Sequence, residues 1–269
     1  MPATIYAIAN QKGGVGKTTT AATISAALAE RGQAVLAVDL DPQACLTFSL
    51  GYDSDALEPT MHEVIAGRAG VAKTVLTHPE MDLAPSSIDL AGAEVALLAR
   101  TGREYVLRGE LDELRDTYDA VVVDCPPSLG VLTLNGLTAA DRVVIPLQCE
   151  TLSHRGVSQL LETIADVQRL TNRGLEVSGL VATMFDGRTR HARAVLHDVT
   201  ERYGLPVLGV PVRKSIRFAE APNLGRTIFA HAPTVPGAAA YRVIAAELAG
   251  AEPDPADRDA AGAVPAWSE

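Results

Sequence analysis

The segment Gln11-Lys12-Gly13-Gly14-Val15-Gly16-Lys17-Thr18-Thr19-Thr20 places two lysines, three glycines and three hydroxyls between an apolar run and an alanine-rich helical pattern. A glycine turn leading from a strand into a helix aims backbone N–H groups and the helix N-terminus at one point, which suits phosphate oxygens. The residue types divide that work: Lys12, Gly13, Gly14, Val15, Gly16, Lys17, Thr18 and Thr19 form a candidate phosphate cradle. Lys17 reaches toward a β/γ pair, and the Thr18 hydroxyl is a ligand for Mg2+. The dinucleotide pattern G-x-G-x-x-G fits poorly, because Gly14-Val15-Gly16-Lys17-Thr18-Thr19 ends in Thr where a third glycine would let helix and strand pack closely. On the residues alone Lys12 is either a second cation of the site or a solvated surface lysine.

Two further acidic segments join this one. Val38-Asp39-Leu40-Asp41-Pro42-Gln43 ends an apolar run, and strand alternation puts Asp39 and Asp41 on one side of it. Ligands of open α/β sheets bind beyond the carboxyl ends of strands, so both acids are expected near the phosphate loop; the competing reading is that they cap the next helix. Val121-Val122-Val123-Asp124 has the apolar-run-then-acid form of a Walker B strand, and its carboxylate is a Mg2+ ligand. Cys125 beside it has no histidine nearby in sequence and reads as a small buried packing residue.

Positioning these groups requires a sheet. Short β-branched runs at Ile5–Asn10, Ala34–Leu40, Ala120–Asp124, Arg142–Leu147, Val177–Met184 and Pro206–Val210 read as strands. Helical patterns separate or follow them at Lys17–Arg31, Ile88–Arg100, Glu104–Thr117, Val131–Ala140, Arg155–Arg173, Ala192–Tyr203 and Gly237–Ala249. Strand and helix in alternation predict an α/β fold: a mostly parallel, doubly wound sheet with helices on both faces. Residues 1–250 read as one P-loop domain and residues 251–269 as an acidic Pro/Ala-rich tail without regular structure. Of the 269 residues 47% are hydrophobic and 21% charged, which excludes wholesale disorder. The net charge of −10 excludes a generally basic nucleic-acid coat but not a local basic patch, and three cysteines without a C-x-x-C pair point to a reducing cytosol. The sequence has no apolar stretch of membrane-spanning length, which predicts a cytoplasmic protein.

The K-G-G-V-G-K-T-T loop, with Gln11 where the standard P-loop has its first glycine, resembles the deviant Walker A of the ParA/MinD class of ATPases. Resemblance to the chromosomal Soj/ParA subgroup extends through Ser86–Glu94, Asp124–Leu134, Met184–Thr189 and Phe218–Pro222, and covers about residues 4–249. It implies ATP and Mg2+ as ligands, with Thr18, Asp41 and Asp124 at the metal. Asp41 then orients the attacking water, and Lys17 and Lys12 act as catalytic cations, Lys12 across a dimer interface. It further implies an ATP-dependent homodimer that binds double-stranded DNA without sequence preference, in association with the nucleoid, and is released when a ParB-type partner stimulates hydrolysis in DNA partition.

The sequence offers that DNA a basic segment. Between Asp186 and Arg217 seven basic residues face three acidic ones, enough for a local phosphate-binding surface on an acidic protein. By resemblance Arg188 and Arg217 are the DNA contacts, joined more weakly by Arg213, Lys214 and Arg190; the competing reading is a solvated charged helix. The rival functions are a MinD-like ATPase at a membrane, to which the acidic tail is unsuited, a cluster-bearing electron carrier, and a nucleotide-gated scaffold for a protein cargo.

Overall fold

The computed structural model describes residues 2–150 and 153–262. The chain runs through strand β1 (Thr4–Ile8), helix α1 (Lys17–Glu30), β2 (Val35–Asp39), α2 (Cys45–Ser49), α3 (Met61–Ile65), β3 (Leu76–Thr77) and β4 (Asp82–Ala84). It continues with α4 (Leu90–Leu97), α5 (Val106–Asp112), β5 (Ala120–Asp124), α6 (Val131–Ala139), β6 (Arg142–Gln148), α7 (Ser153–Leu170), β7 (Glu176–Thr183) and α8 (Arg190–Tyr203). The described chain ends with α9 (Arg217–Glu220), α10 (Ile228–His231), α11 (Pro236–Leu248) and α12 (Pro255–Ala261).

The strands form one sheet in the order β3-β4-β2-β5-β1-β6-β7, parallel except for β3 against β4. Alternation along the buried strands feeds two cores. Ile5, Ala7, Val121 and Val123 face helices α3 to α8, whereas Tyr6, Ile8, Val122 and Val144 face α1 and α11. Both faces are therefore covered, the condition that lets parallel strands be apolar throughout. From β1 the chain moves to β2 on one side and later reaches β6 on the other. The carboxyl end of β1 is thus a topological reversal, where open α/β sheets form their crevice.

Three expectations need correction. Pro206–Val210 is not a strand; it makes an isolated bridge, Leu180 to Val207, because Pro206 has no N–H and Gly209 turns to φ +58°. The helix expected over Glu104–Thr117 is α only from Val106 to Asp112, and its later turns close with i→i−3 bonds such as Leu114 N to Leu111 O. The tail expectation also fails in part: Pro255–Ala261 is a helix. The Asp254 side chain caps it by accepting from the Ala256 N–H, Pro255 begins it, and Ala261 is buried in the α1/α11 core. Asp-Pro followed by spaced alanines is a helix start with an apolar side, a signal hidden in an acidic composition. The remainder of the expected tail, residues 263–269, lies outside the described residues. Because α12 contributes packing, removal of residues 251–269 is expected to lower the thermal midpoint by about 2–4 °C for each kcal/mol of packing energy removed. Differential scanning fluorimetry checks this, and an unchanged midpoint counts against the packing.

Candidate functional site

The loop after β1 is held by one local bond and two from distant parts of the chain. Asn10 donates to Pro146 O at 2.7 Å and accepts from the Lys12 N–H at 3.0 Å, and Thr183 donates its hydroxyl to Val15 O at 2.7 Å. Gly14 and Gly16 sit at φ +75° and +85°, a region that side chains resist. Gly16 is also the N-cap of α1 and supplies no side-chain cap, so the first N–H groups of the helix remain directed at whatever fills the loop. Lys17 is 7% exposed and donates to Lys12 O at 3.1 Å. Burial lowers its pKa, opposed by the Asp124 and Asp41 charges.

The two acids of β2 separate into different roles. Asp39 is fully buried; it accepts from the Thr47 N–H and hydroxyl, both at 2.8 Å, and from the Asp41 N–H at 3.2 Å. Burial nevertheless pushes its carboxyl up to about 6, and these bonds oppose the rise. Asp39 therefore takes the helix-holding role, tethering α2. Asp41 accepts from the Gln43 N–H at 3.0 Å and lines a cavity of 820 Å³. Gly13, Lys17, Thr18, Pro127 and Met184 line the same cavity. Ala44, at φ +50°, makes the sharp turn that returns the chain from Asp41 to α2.

Asp124 lies opposite Asp39 in the β2/β5 register. Both of its carboxylate oxygens are buried and without a hydrogen-bond partner. The Thr18 hydroxyl stands near enough to favour the charged form but closes no bond to either oxygen. Burial, and then the Asp39 charge, pushes the Asp124 carboxyl far above the usual carboxylate range. A buried anion left in this condition is costly unless a cation satisfies it. Mg2+ fits: carboxylate and hydroxyl are hard oxygen donors, and phosphates and water ordinarily complete its octahedron. The described residues contain no group of three or more His, Cys, Asp or Glu able to hold a metal by themselves.

Cys125 is buried against Gly136 and burial raises its thiol; burial likewise pushes Cys149 up to about 12. Neither is an activated nucleophile. Lys12 was legible as a cation, but its partner was not: its ammonium meets Glu150 at 2.5 Å, an exposed contact between segments 138 positions apart.

The expected basic residues gather at one end of the sheet. Phe185 bridges to Arg213, so the segments bearing Arg188 and Arg190 and those bearing Arg213, Lys214 and Arg217 leave the sheet side by side. All five are exposed, and Arg213 and Lys214 also line the cavity. Arg188 is paired with Asp186 at 2.9 and 3.0 Å, and Arg217 with Glu220 at 2.8 Å. No described helix is long and apolar enough to cross a membrane.

The family model described as AAA domain matches residues 3–177. Soj of Bacillus subtilis, named a sporulation initiation inhibitor protein, is 40% identical over 91% of this chain and 98% of its own. The chromosome partitioning protein ParA of Caulobacter vibrioides is 40% identical over 94% of this chain and 96% of its own. A crystal structure from Mycobacterium smegmatis described as cobyrinic acid a,c-diamide synthase, with bound ADP and magnesium, is 52% identical. It covers 92% of this chain and 94% of its own at a TM-score of 0.81. Identity of 40% over nine-tenths or more of this chain and of both the Soj and ParA chains, on a sheet whose loop and acids suit a nucleotide with Mg2+, leads to one conclusion: the chain belongs to the Soj/ParA family of partition ATPases and hydrolyses ATP with Mg2+.

Proposed function

We propose that ATP binding gates a homodimer of this chain that holds double-stranded DNA without sequence preference, and that a ParB-type partner releases it by stimulating hydrolysis. Such a protein acts in the cytoplasm on the nucleoid. The observation that carries the nucleotide half of this reading is the unpartnered Asp124 carboxylate beside Thr18 and Lys17 at the mouth of β1. The names of the Soj and ParA relatives support partition as the process.

In this mechanism the loop N–H groups and Lys17 hold the β/γ-phosphates, and Thr18, Asp124 and Asp41 face the metal. Bound Mg2+ offsets the charge that develops on the phosphoryl oxygens. Asp41, fixed by the Gln43 N–H, orients a water in line with the γ-phosphate. Lys12 leaves Glu150 and reaches the phosphates of the partner subunit. That contact exists only with both nucleotide and dimer present, which gives ATP differential affinity for the two states. Arg188 and Arg217, with Arg213, Lys214 and Arg190, meet DNA phosphates, and dimerisation doubles the patch. The amide-forming activity in the Mycobacterium smegmatis description is a second reading with the same nucleotide chemistry.

Lys17→Ala is expected to abolish nucleotide binding, and Asp41→Ala to retain binding and lose turnover, measured by fluorescent-nucleotide titration and phosphate release. Asp41→Ala with ATP is expected to dimerise in light scattering and Lys12→Ala to remain monomeric. Asp124→Asn removes the carboxylate that would face the metal, so it is expected to erase the affinity gained from Mg2+. Co-sedimentation with mixed-sequence DNA at several salt concentrations tests the DNA half. Binding is expected with ATP alone, and removing one phosphate-binding cation is expected to lower the logarithmic salt slope by about one unit. Arg188→Glu and Arg217→Glu variants that dimerise yet bind DNA as the parent does would refute the patch. Phosphate release that depends on cobyrinic acid and an ammonia donor would favour the amide-forming reading.

A further inference from the structure

The loop joining Asp124 to α6 is one wall of the nucleotide cavity, and its two ends are fixed by different means. At the near end Cys125 packs so tightly on Gly136 that a Cβ there would lie 2.8 Å from Sγ. Pro127, midway, lines the cavity. At the far end Gly130 begins α6 and offers no side-chain cap, while Thr133 ties the first turn back by donating to Ser128 O at 2.5 Å.

Into this uncapped end comes a carboxylate from another helix. Glu94 of α4 places Oε1 2.8 Å from where a Cβ on Gly130 would sit, and the Leu132 N–H of the first turn of α6 stabilises its charge. The glycine is needed for that approach and not for backbone freedom, since Gly130 lies at φ −77°. Glu94 is half-buried; burial raises its carboxyl, and the Asp41 charge across the cavity adds to the rise. An acid at a helix N-terminus complements the dipole. Here it does so from α4, so that it joins α4 to the loop.

We propose that Glu94 is the positioning residue of this loop, holding the first turn of α6, and with it Pro127 and Asp124, in the geometry that hydrolysis requires. The proposal rests on the assignment of Asp41 and Asp124 above. Glu94 touches no phosphate in this role; it acts through Gly130 and Leu132. Its loss leaves the phosphate cradle on β1 and α1 intact while the opposite wall is free to shift, and small misplacements of an oriented site reduce turnover more than binding.

The test uses the full chain, with steady-state hydrolysis and Mg·ATP affinity measured on each variant. Glu94→Ala is expected to lower kcat about tenfold and to leave affinity within about twofold. Glu94→Gln, whose amide oxygen keeps an acceptor at the first turn of α6, is expected to recover most of the loss. Gly130→Ala adds a methyl group that only the flexible end of Glu94 must avoid; it is expected to reproduce the Glu94→Ala defect in a stably folded chain, and the double variant to be no worse than either single one. Unchanged kcat in Glu94→Ala or Gly130→Ala, a Gln variant as impaired as the Ala variant, or additive losses would overturn the proposal. If Glu94→Ala fails to fold, Gly130→Ala decides alone. Lys17→Ala run alongside separates the two readings: if it keeps nucleotide affinity, the site assignment fails and the role of Glu94 falls with it, whereas if it loses affinity the Glu94 and Gly130 variants decide that role by themselves.

Discussion

The nucleotide site is organised around two buried carboxyl groups, and the protein alone does not satisfy the charged form of one of them. Asp39 and Asp124 face each other across β2 and β5, each nearly sealed from water. Three hydrogen bonds stabilise Asp39, whereas Asp124 has none. For Asp39, whose folded-state carboxyl lies at about 6 against an ordinary 3.8, the unfolded chain releases its proton at lower pH. Stability therefore falls as pH rises through that interval and stays reduced above it. The strands tolerate this because five consecutive buried residues in each hold the acids in register. Lys17 supplies part of the opposing charge, and a bound divalent cation would supply the rest.

Around that charge the cations are graded by burial. Lys17 is enclosed, bonded to the loop carbonyl of Lys12, and has few alternative positions. Lys12 pairs with Glu150 through side chains that are 31% and 52% exposed, and such exposed pairs contribute only about 0–1 kcal/mol. A contact that weak is easily exchanged, so on the proposed reading Glu150 would not compete with a phosphate of the partner subunit for Lys12. The fold thus fixes one lysine and keeps the other available.

The local patterns legible in the sequence are those in which spacing alone carries the chemistry. Gly16-Lys17-Thr18 after an apolar run, and an acid ending each of β2 and β5, were legible because strand alternation and the carboxyl-end rule need no distant partner. The tether from Asp39 to Thr47, the clamp of Thr183 on Val15 and the pairing of Lys12 with Glu150 were not, since each depends on a partner that only the folded chain brings into place. β3 and β4, with two and three residues, are too short to show alternation. In Pro206–Val210 the β-branched composition pointed to a strand that Pro206 and Gly209 deny, and in Pro255–Ala261 acidic composition concealed a capped helix. Composition misled wherever one backbone feature outweighed it.

The same reasoning bears on the basic end of the sheet. Arg188 is 91% exposed yet pairs with Asp186, whose carboxyl that guanidinium holds down at about 2. Arg217 shares Glu220 with His231. Each principal arginine therefore has an in-chain acid, shared with His231 in the case of Arg217, and on the proposed reading a DNA phosphate must displace or share it, which lowers the net attraction of a single copy. On the proposed reading two copies on one face would change the balance, because DNA presents a continuous row of phosphates while each in-chain acid acts only locally. Counterion release then grows with the number of arginines engaged together. On the proposed reading, in-chain pairing of this kind would leave the monomer weak at physiological salt and make DNA affinity depend on dimerisation, so that nucleotide state would control residence on DNA through the subunit count.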